Sequence, residues 1–465
     1  MLAVVSCARL GAQNPNTDAE VDEFVQTEMK LQHIPGLALG VYSEGKITKT
    51  KGYGIANVEW GIPVQPDTVF QSGSVGKQFV ATAVMMLVED GKVGLDDSVR
   101  KYFPDAPETW SNITVRNLLT HTSGLGEYES DERTKPSGPF YLRLDFTEQQ
   151  LYKNIVAMPL DFNPCERWNY RNTNYVLLGM LIHRVTGESY GDFLQSRIFK
   201  PLGMTSTRII SEEAIIPHRA AGYRLVDGEI KNQEWVSPTF NSTADGALYF
   251  TVLDLGKWDA ALYTENLVRK STLEQMWTPM TCSDRKKYPY GLGWWVQESN
   301  GHRLLEHGGA WQGFTADISR YVDNRLTVVV LTNLDASHSD PRRIAHGVAM
   351  LYLPDLRMKP IPDTEPGVRV GVLLRTALAE LAAGKVNLEV FAPEERSAWM
   401  PERIEGLSER LKSFGPVQSL ALVESKNEDG SRHYKYRAEF ADGPMMVDLS
   451  LNRDNKVTAL QVRPE

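Results

Sequence analysis

Ser74 and Lys77 stand three residues apart in the run Phe70-Gln-Ser-Gly-Ser-Val-Gly-Lys-Gln-Phe79, just ahead of a long apolar helical pattern. Positions three apart share a helix face, so the lysine amine can reach the serine oxygen. A serine hydroxyl is a weak nucleophile until a neighbouring base takes its proton. The start of a helix, with its unpaired N–H groups and its dipole, also favours negative charge as it develops. The pair therefore suits acyl transfer through a covalent serine intermediate. Alone, a Ser-x-x-Lys is also what chance supplies in a chain of 465 residues. Two rival motifs fail here. A nucleophile elbow needs Gly-x-Ser-x-Gly, and the chain has Ser72 at the first glycine. A phosphate loop needs a glycine five before Gly76 and Ser or Thr after Lys77, and the chain has Gln71 and Gln78.

Two more clusters carry chemistry. Tyr170-Arg171-Asn172 immediately precedes the apolar helical pattern Asn174 to Val185. A nearby cation favours a phenolate, so a tyrosine beside a lysine can be held partly as the anion and act as a general base. Asn172 can hydrogen-bond Lys77 or a substrate amide. Taken singly, a core tyrosine and a helix-capping asparagine explain the same residues. The run His307-Gly308-Gly309-Ala310 ends a strand pattern. Glycines let backbone approach a ligand closely, and a strand edge beside Ser74 would offer an N–H to a carbonyl oxygen. Taken singly, this is a glycine turn with a surface histidine.

The elements that must position these residues are legible from periodicity and turn residues. A helix is predicted from Thr17 to about His33, then strands Leu37 to Ser43 and Lys46 to Tyr53 around Glu44-Gly45. The Ser74 segment opens a helix with Phe79, Val80, Ala83, Val84, Leu87 and Val88 on its apolar face, stopped at Gly91. The middle of the chain is helical and loop-rich. Its clearest helices cover Asn174 to Val185, Tyr190 to Phe199, and Val252 to Leu262 after Asn241-Ser-Thr-Ala-Asp245-Gly246. Strands return at Gly293 to Glu298, Arg303 to His307, Thr315 to Val322 and Leu326 to Thr332, with Asn300-Gly301, Gly308-Gly309 and Asp323-Asn324 as turns. A helix from Pro341 to Leu351 closes this part. Strands at both ends around a helical middle imply an α+β (α/β) fold, an antiparallel sheet flanked by helices with an inserted helical region. Pro354, Pro360, Pro362 and Pro366 mark a linker. Beyond it, helices Val368 to Ala383 and Pro393 to Ser413 and four strands from Val417 to Val462 form a small α+β domain, with Asp429-Gly430, Asp442-Gly443 and Asp454-Asn455 as its turns.

Composition excludes several functions. A net charge of -9 and the absence of a polybasic block argue against a nucleic-acid surface. No apolar run is long enough to span a membrane. Cys7, Cys165 and Cys282 give no disulfide framework. No Cys/His cluster has metal-site spacing, so neither metal nor cofactor is expected. Residues 1–19 begin with the small and apolar stretch Met1 to Ala12, which reads as the remnant of an export signal; Val4-Val5-Ser6-Cys7 also looks like a lipoprotein processing box. A bacterial protein exported to the periplasm or beyond is the expectation.

In this order and at these spacings, Ser74-x-x-Lys77, Tyr170-x-Asn172 and His307-Gly-Gly309 resemble the serine β-lactamase and penicillin-binding superfamily, and within it the class C β-lactamase, D-peptidase and esterase-like group. Ile34-Pro-Gly36, Leu118-Leu-Thr-His-Thr-Ser-Gly-Leu125, Pro201-Leu-Gly-Met204 and Tyr290-Gly-Leu-Gly293 add to the likeness, which covers about residues 20–355. The resemblance implies Ser74 as the acylated nucleophile, Lys77 as acceptor or relay of its proton, and Tyr170 as general base in acylation and deacylation. It implies Asn172 as the residue that positions Lys77 and substrate, and the N–H groups of Ser74 and Ala310 as the oxyanion hole. One position departs from the β-lactamase pattern, where the third motif usually begins with lysine. Histidine titrates near neutrality, so His307 makes recognition of an anionic group conditional on pH. The reading moves towards an ester or D-amino-acid amide or peptide as the small-molecule substrate. Penicillin binding, weak β-lactam hydrolysis or a non-catalytic scaffold are the alternatives. Tyr128, Trp235, Trp294, Trp311 and Phe314 are candidates to line an apolar acyl pocket. The C-terminal domain (367–465, after a linker at 356–366) resembles cystatin-like or nuclear-transport-factor-like modules and is a candidate for pairing subunits.

Overall fold

The computed structural model describes residues 15–282, 286–362, 365–399, 401–428, 430–441 and 443–464. The leader reading of Met1 to Ala12, Cys7 with it, and the turn residues Asp429 and Asp442 lie outside these. The chain divides after Leu353 into two compact units.

Unit one is built on an antiparallel sheet. Its strands are β1 (Gly36–Ser43), β2 (Lys46–Asn57), β3 (Ile62–Pro63), β4 (Trp295–Ser299), β5 (His302–Trp311), β6 (Phe314–Tyr321) and β7 (Leu326–Thr332). They run in the order β4-β5-β6-β7-β1-β2-β3, so the first and last thirds of the chain meet where β1 pairs with β7, Leu37 opposite Thr332. Every residue of β6 and β7 is buried, which requires cover on both faces. Alternation along β6 shows what covers each. Asp317 and Ser319 share one face, and Ser319 lies beside Glu306 Oε2, which also lies 2.8 Å from His346 Nε2 of the helix Pro341–Tyr352. Arg320, on the opposite face, bonds Asp259 of the helix Val252–Ala261.

The helical middle is inserted between β3 and β4. Phe70–Gln71 pairs with Leu248–Phe250, which also pairs with Arg208–Ile209. This small sheet brings residues before Ser74 against the segment carrying Asp245. Two helices matter to the site, α1 (Lys77–Glu89) and α2 (Asn172–Thr186). α1 is buried from Lys77 through Leu87, so it runs through the core rather than along its surface. Gly187, in the left-handed conformation, ends α2.

Two expectations need correction. Cys165 and Cys282 are joined in a disulfide across 117 residues. Their separation along the chain hid a pairing that only the fold brings about. Gly308-Gly309 is not a turn: β5 runs on through Trp311, with Ala310 opposite Thr315 and Trp311 opposite Phe314, and Gly313 takes the left-handed turn conformation. The turn predicted at Gly308-Gly309 gives way to the close backbone approach along a strand that the same glycines permit.

Unit two contains α3 (Glu365–Ala382), α4 (Pro401–Phe414) and four strands, β8 (Ser419–Glu428), β9 (Ser431–Phe440), β10 (Gly443–Leu451) and β11 (Val457–Pro464). The strands form a meander in sequence order. Leu374, Leu378 and Leu381 of α3 and Leu411 and Phe414 of α4 share a core with Tyr436, Val447 and Leu449 of the sheet.

Candidate active site

Ser74 lies in a single 3-10 turn, Gly73–Gly76, that leads into α1 at Lys77. Ser72 holds this turn in place. Its Oγ lies 2.9 Å from the carbonyl oxygens of Gly73 and Gly246, and accepts from Leu248 N–H at 3.1 Å. Strand β5 packs against the turn closely. A Cβ on Gly309 would strike the Ser72 carbonyl and come within 2.9 Å of Ser74 N, and one on Gly73 would strike Ala310 N. These two glycines bring the backbone N–H of Ala310 next to the turn that carries Ser74.

Lys77 is fully buried, and its Nζ has three neighbours. It donates to Ser74 Oγ at 2.9 Å, to Asn172 Oδ1 at 2.8 Å and to the Asp245 carbonyl oxygen. Burial lowers its pKa to about 8, against the opposing pull of Asp245, Glu129 and Glu127. Asn172 begins α2 and turns its Nδ2 to Glu129 Oε2 at 2.5 Å. Its amide thereby links Lys77 to a carboxylate. Glu127 accepts from the backbone N–H of Asn172 at 2.7 Å, where an anion suits the start of the helix.

Tyr170 places its ring 5.0 Å from Lys77 Nζ. Its hydroxyl is buried beside Ser74, near enough to feel that side chain, yet makes no well-formed hydrogen bond among the described residues. Burial pushes this phenol well above its ordinary range, so the expected partial phenolate is corrected. Desolvation of the anion outweighs the nearby lysine. His307 is corrected likewise. It is buried, and burial with the Lys77 charge pushes it down to about 3. Its Nδ1 lies 2.6 Å from the Gly308 carbonyl, which can only accept, so Nδ1 carries the proton. Nε2 then accepts from Tyr290 O–H at 2.9 Å. The imidazole is neutral at any physiological pH and offers no switchable cation.

Ser74 sits between two openings. One is lined by Gly73, Glu129, Asn172, Asp245, Phe240 and Trp311. The other is lined by Tyr170, Trp295, His307, Ala310 and Arg342. Arg342 is held 3.5 Å from Glu306 and 3.6 Å from Asp317. Of the aromatic residues proposed for an acyl pocket, only Trp311 lines the first opening. Trp294, Phe314 and Tyr128 are fully buried, and Trp235 is exposed.

The structure therefore brings Ser74, Lys77, Tyr170, Asn172, His307, Gly309 and Ala310 together. It adds residues that sequence reading did not single out. Glu129 and Asp245 bear on Lys77. His121 stacks on Tyr170 with ring centroids 4.2 Å apart, and burial pushes it well below the ordinary histidine range. The stretch Thr120-His-Thr-Ser-Gly-Leu125 carried the signal for His121. Asp245 stood in view only as part of a helix start.

The Beta-lactamase family model matches residues 21–351, and the chain belongs to that family. Penicillin-binding protein 4* of Bacillus subtilis (strain 168) is 31% identical over 307 residues, covering 62% of this chain and 66% of that protein. The chain thus spans just under two thirds of that relative. Among solved structures, D-amino acid amidase from Ochrobactrum anthropi SV3 superposes with a TM-score of 0.62 at 26% identity, over 73% of this chain and 97% of the other. The octameric penicillin-binding protein homologue from Pyrococcus abyssi has a TM-score of 0.64 at 24% identity and covers 96% of this chain and 98% of its own. That likeness shows the fold, the C-terminal unit included.

Proposed function

We propose that the protein is a serine hydrolase that cleaves a carboxylic ester or a D-amino-acid amide or peptide through an acyl-enzyme on Ser74. One observation carries the reading. Lys77 Nζ has three partners, and two of them, the Asn172 amide oxygen and the Asp245 carbonyl, can only accept. Ser74 alone can also donate. When Lys77 loses a proton, its two remaining N–H bonds stay with the acceptors and its lone pair turns to the serine hydroxyl. A lysine held near pH 8 is then a base aimed at the nucleophile.

Ser74 Oγ attacks the carbonyl carbon as its proton passes to Lys77. The N–H groups of Ser74 and Ala310 receive the oxyanion, and such donors matter most as charge develops. Tyr170, kept protonated by burial, gives its proton to the leaving group and takes one from Lys77; in deacylation it takes a proton from the attacking water as it passes its own to Lys77, which returns one to Ser74 Oγ as the acyl bond breaks. Asn172 holds the lysine and the acyl amide. The neutral His307 leaves the third motif without the fixed cation that suits a carboxylate, which favours esters and amides over β-lactams.

The names of the relatives and neighbours, penicillin-binding proteins and D-amino acid amidases, support this chemistry. Export is proposed alongside. Disulfides persist in oxidising compartments, and the Cys165–Cys282 bond suits one. Among the described residues no helix is long and apolar enough to cross a membrane. For the C-terminal unit we propose subunit pairing, to be read from the mass in solution of the full chain and of a chain ending at Leu353.

A substrate panel tests the central claim, using a short acyl p-nitrophenyl ester, D-alanyl p-nitroanilide and a chromogenic cephalosporin against wild type and Ser74→Ala. The ester or anilide should turn over, with an acyl adduct on Ser74 by mass spectrometry. Turnover that survives Ser74→Ala without an adduct would refute it.

A further inference from the structure

We infer that the Cys165–Cys282 disulfide is a positioning brace for Tyr170, so that the rate of acyl transfer, and not only the stability of the fold, depends on the bond being closed. The inference rests on the acyl-transfer reading and adds to that site a positioning element and a redox dependence.

Tyr170 is placed by something other than its own hydroxyl. That group is buried with no well-formed hydrogen bond among the described residues, so its approach to Ser74 is set by the ring and by the backbone that carries it. His121 stacks on the ring, with centroids 4.2 Å apart. The backbone is irregular: residues 161–171 form neither helix nor strand, and α2 begins only at Asn172. Three backbone hydrogen bonds tie this segment to one neighbour, residues 121–124. Asp161 N–H donates to the Gly124 carbonyl at 2.8 Å, Cys165 N–H to that of Thr122 at 2.7 Å and Asn169 N–H to that of His121 at 3.0 Å. On another side the segment meets the stretch 280–295. Trp168 packs there against Trp295 and Tyr290, with centroids 5.2 and 6.1 Å away, and Cys165 is bonded to Cys282.

The two ends of that bond are unequal. Cys282 is buried and follows Thr281, which pairs with Lys287. Met280, one residue earlier, donates its N–H to the Tyr290 carbonyl at 2.8 Å, and the Tyr290 hydroxyl holds His307. Cys165 is half-buried and has φ 57°, in the left-handed region, which is unfavourable for a residue with a Cβ. It stands five positions before Tyr170. Opening the bond therefore releases the strained end first, and the slack reaches Tyr170 through a segment without regular structure. A displacement on the order of 1 Å at a reacting group is enough to cost about a hundredfold in rate.

The test compares oxidised protein, protein reduced by a dithiol, and the Cys165→Ala, Cys282→Ala double variant on the short acyl p-nitrophenyl ester. The dithiol gives two electrons and two protons to the bond, leaves two cysteine thiols and closes to its own disulfide. In reduced protein and in the double variant, kcat of the folded fraction should fall at least about tenfold with KM within about twofold, and reoxidation should restore the reduced protein. In a Tyr170→Phe background, opening the bond should change kcat by less than about twofold, because the group it positions is already gone. Amide hydrogen exchange should rise at least about tenfold in residues 161–171 and stay unchanged in α1. The brace is refuted if kcat falls by less than that, if opening the bond slows Tyr170→Phe as much as wild type, or if exchange rises throughout unit one, the mark of a bond that only holds the fold. The two readings fail separately. A Ser74 adduct with a kcat indifferent to the bond removes only the brace. Turnover that survives Ser74→Ala without an adduct removes the acyl-transfer reading, while faster exchange confined to 161–171 still shows the bond holding the Tyr170 segment.

Discussion

Lys77 and Arg320 are both fully buried cations in unit one, and their surroundings differ throughout. Arg320 donates from Nε to Asp259 at 2.8 Å, and Thr327 donates to the same oxygen at 2.7 Å. Its guanidinium lies over the rings of Tyr263, Trp277 and Trp294, at 4.9, 5.4 and 5.6 Å from their centroids. One carboxylate and three aromatic faces suit a cation that never gives up its proton. Lys77 instead sits among neutral acceptors, one of them a hydroxyl, with more than one carboxyl group nearby. An amine readily loses its proton on burial. The protein thus uses arginine where a charge must hold two layers together, and lysine where, on the proposed mechanism, a proton moves.

Four experiments break or sharpen this contrast. The largest effect is expected from Lys77→Met, which should lower kcat/KM by about 10³- to 10⁴-fold, the upper range for loss of a positioned base. Its stability in urea should fall by only about 1–3 kcal/mol, the scale of leaving a buried acceptor such as Asn172 Oδ1 without its donor. A loss under tenfold would mean that another group takes the serine proton.

Arg320→Met should show the opposite signature. Stranding Asp259 in the core should cost about 3–5 kcal/mol in urea unfolding, with kcat/KM of the folded fraction little changed. Adding Asp259→Leu should restore much of that stability. If the double variant is no more stable than the single, the ion pair is not what Arg320 contributes.

Removing the disulfide with Cys165→Ser and Cys282→Ser should cost about 2–4 kcal/mol, mainly through a freer unfolded chain. An unchanged unfolding midpoint in reducing and oxidising buffer would argue that the bond is unimportant to the fold.

The smallest effect concerns pH. Below its pKa of about 8 Lys77 holds three protons and has no lone pair, and above it the amine is free to act. The acylation rate should therefore rise towards a bend near pH 8. Glu129 ionises in the same range, so the bend should be checked in Glu129→Gln. If it persists there, it belongs to Lys77; a profile flat from pH 6 to 9 contradicts the assignment.

Much of this arrangement was legible before the fold was known. Ser74 and Lys77 are one helical turn apart, so their contact is local. The helix α2, predicted from Asn174 and beginning two residues earlier at Asn172, the hairpin β1–β2 and the strands β6 and β7 follow from period and turn residues. The Cys165–Cys282 bond, the stacking of His121 on Tyr170 and the approach of Asp245 to Lys77 were not legible. Each joins residues tens to hundreds of positions apart, and none has a local pattern. The protonation states lie beyond local pattern for the same reason. The expectation of a partial phenolate at Tyr170 and a titrating His307 weighed neighbouring charge, whereas burial decides both, and burial is a property of the whole packed core.

The amino-acid sequence by itself determined that Ser74 and Lys77 lie one helical turn apart, the chain order of the three clusters and the α+β class, because these depend on spacings that a helix or strand converts directly into proximity. The tertiary structure alone decided which carboxylates face the cleft, which hydrogen bonds leave Lys77 with one partner able to donate, and which titratable groups stay neutral. Those outcomes depend on desolvation and on the supply of donors at one point in space, and chain segments from Ser72 to Arg342 contribute to that point.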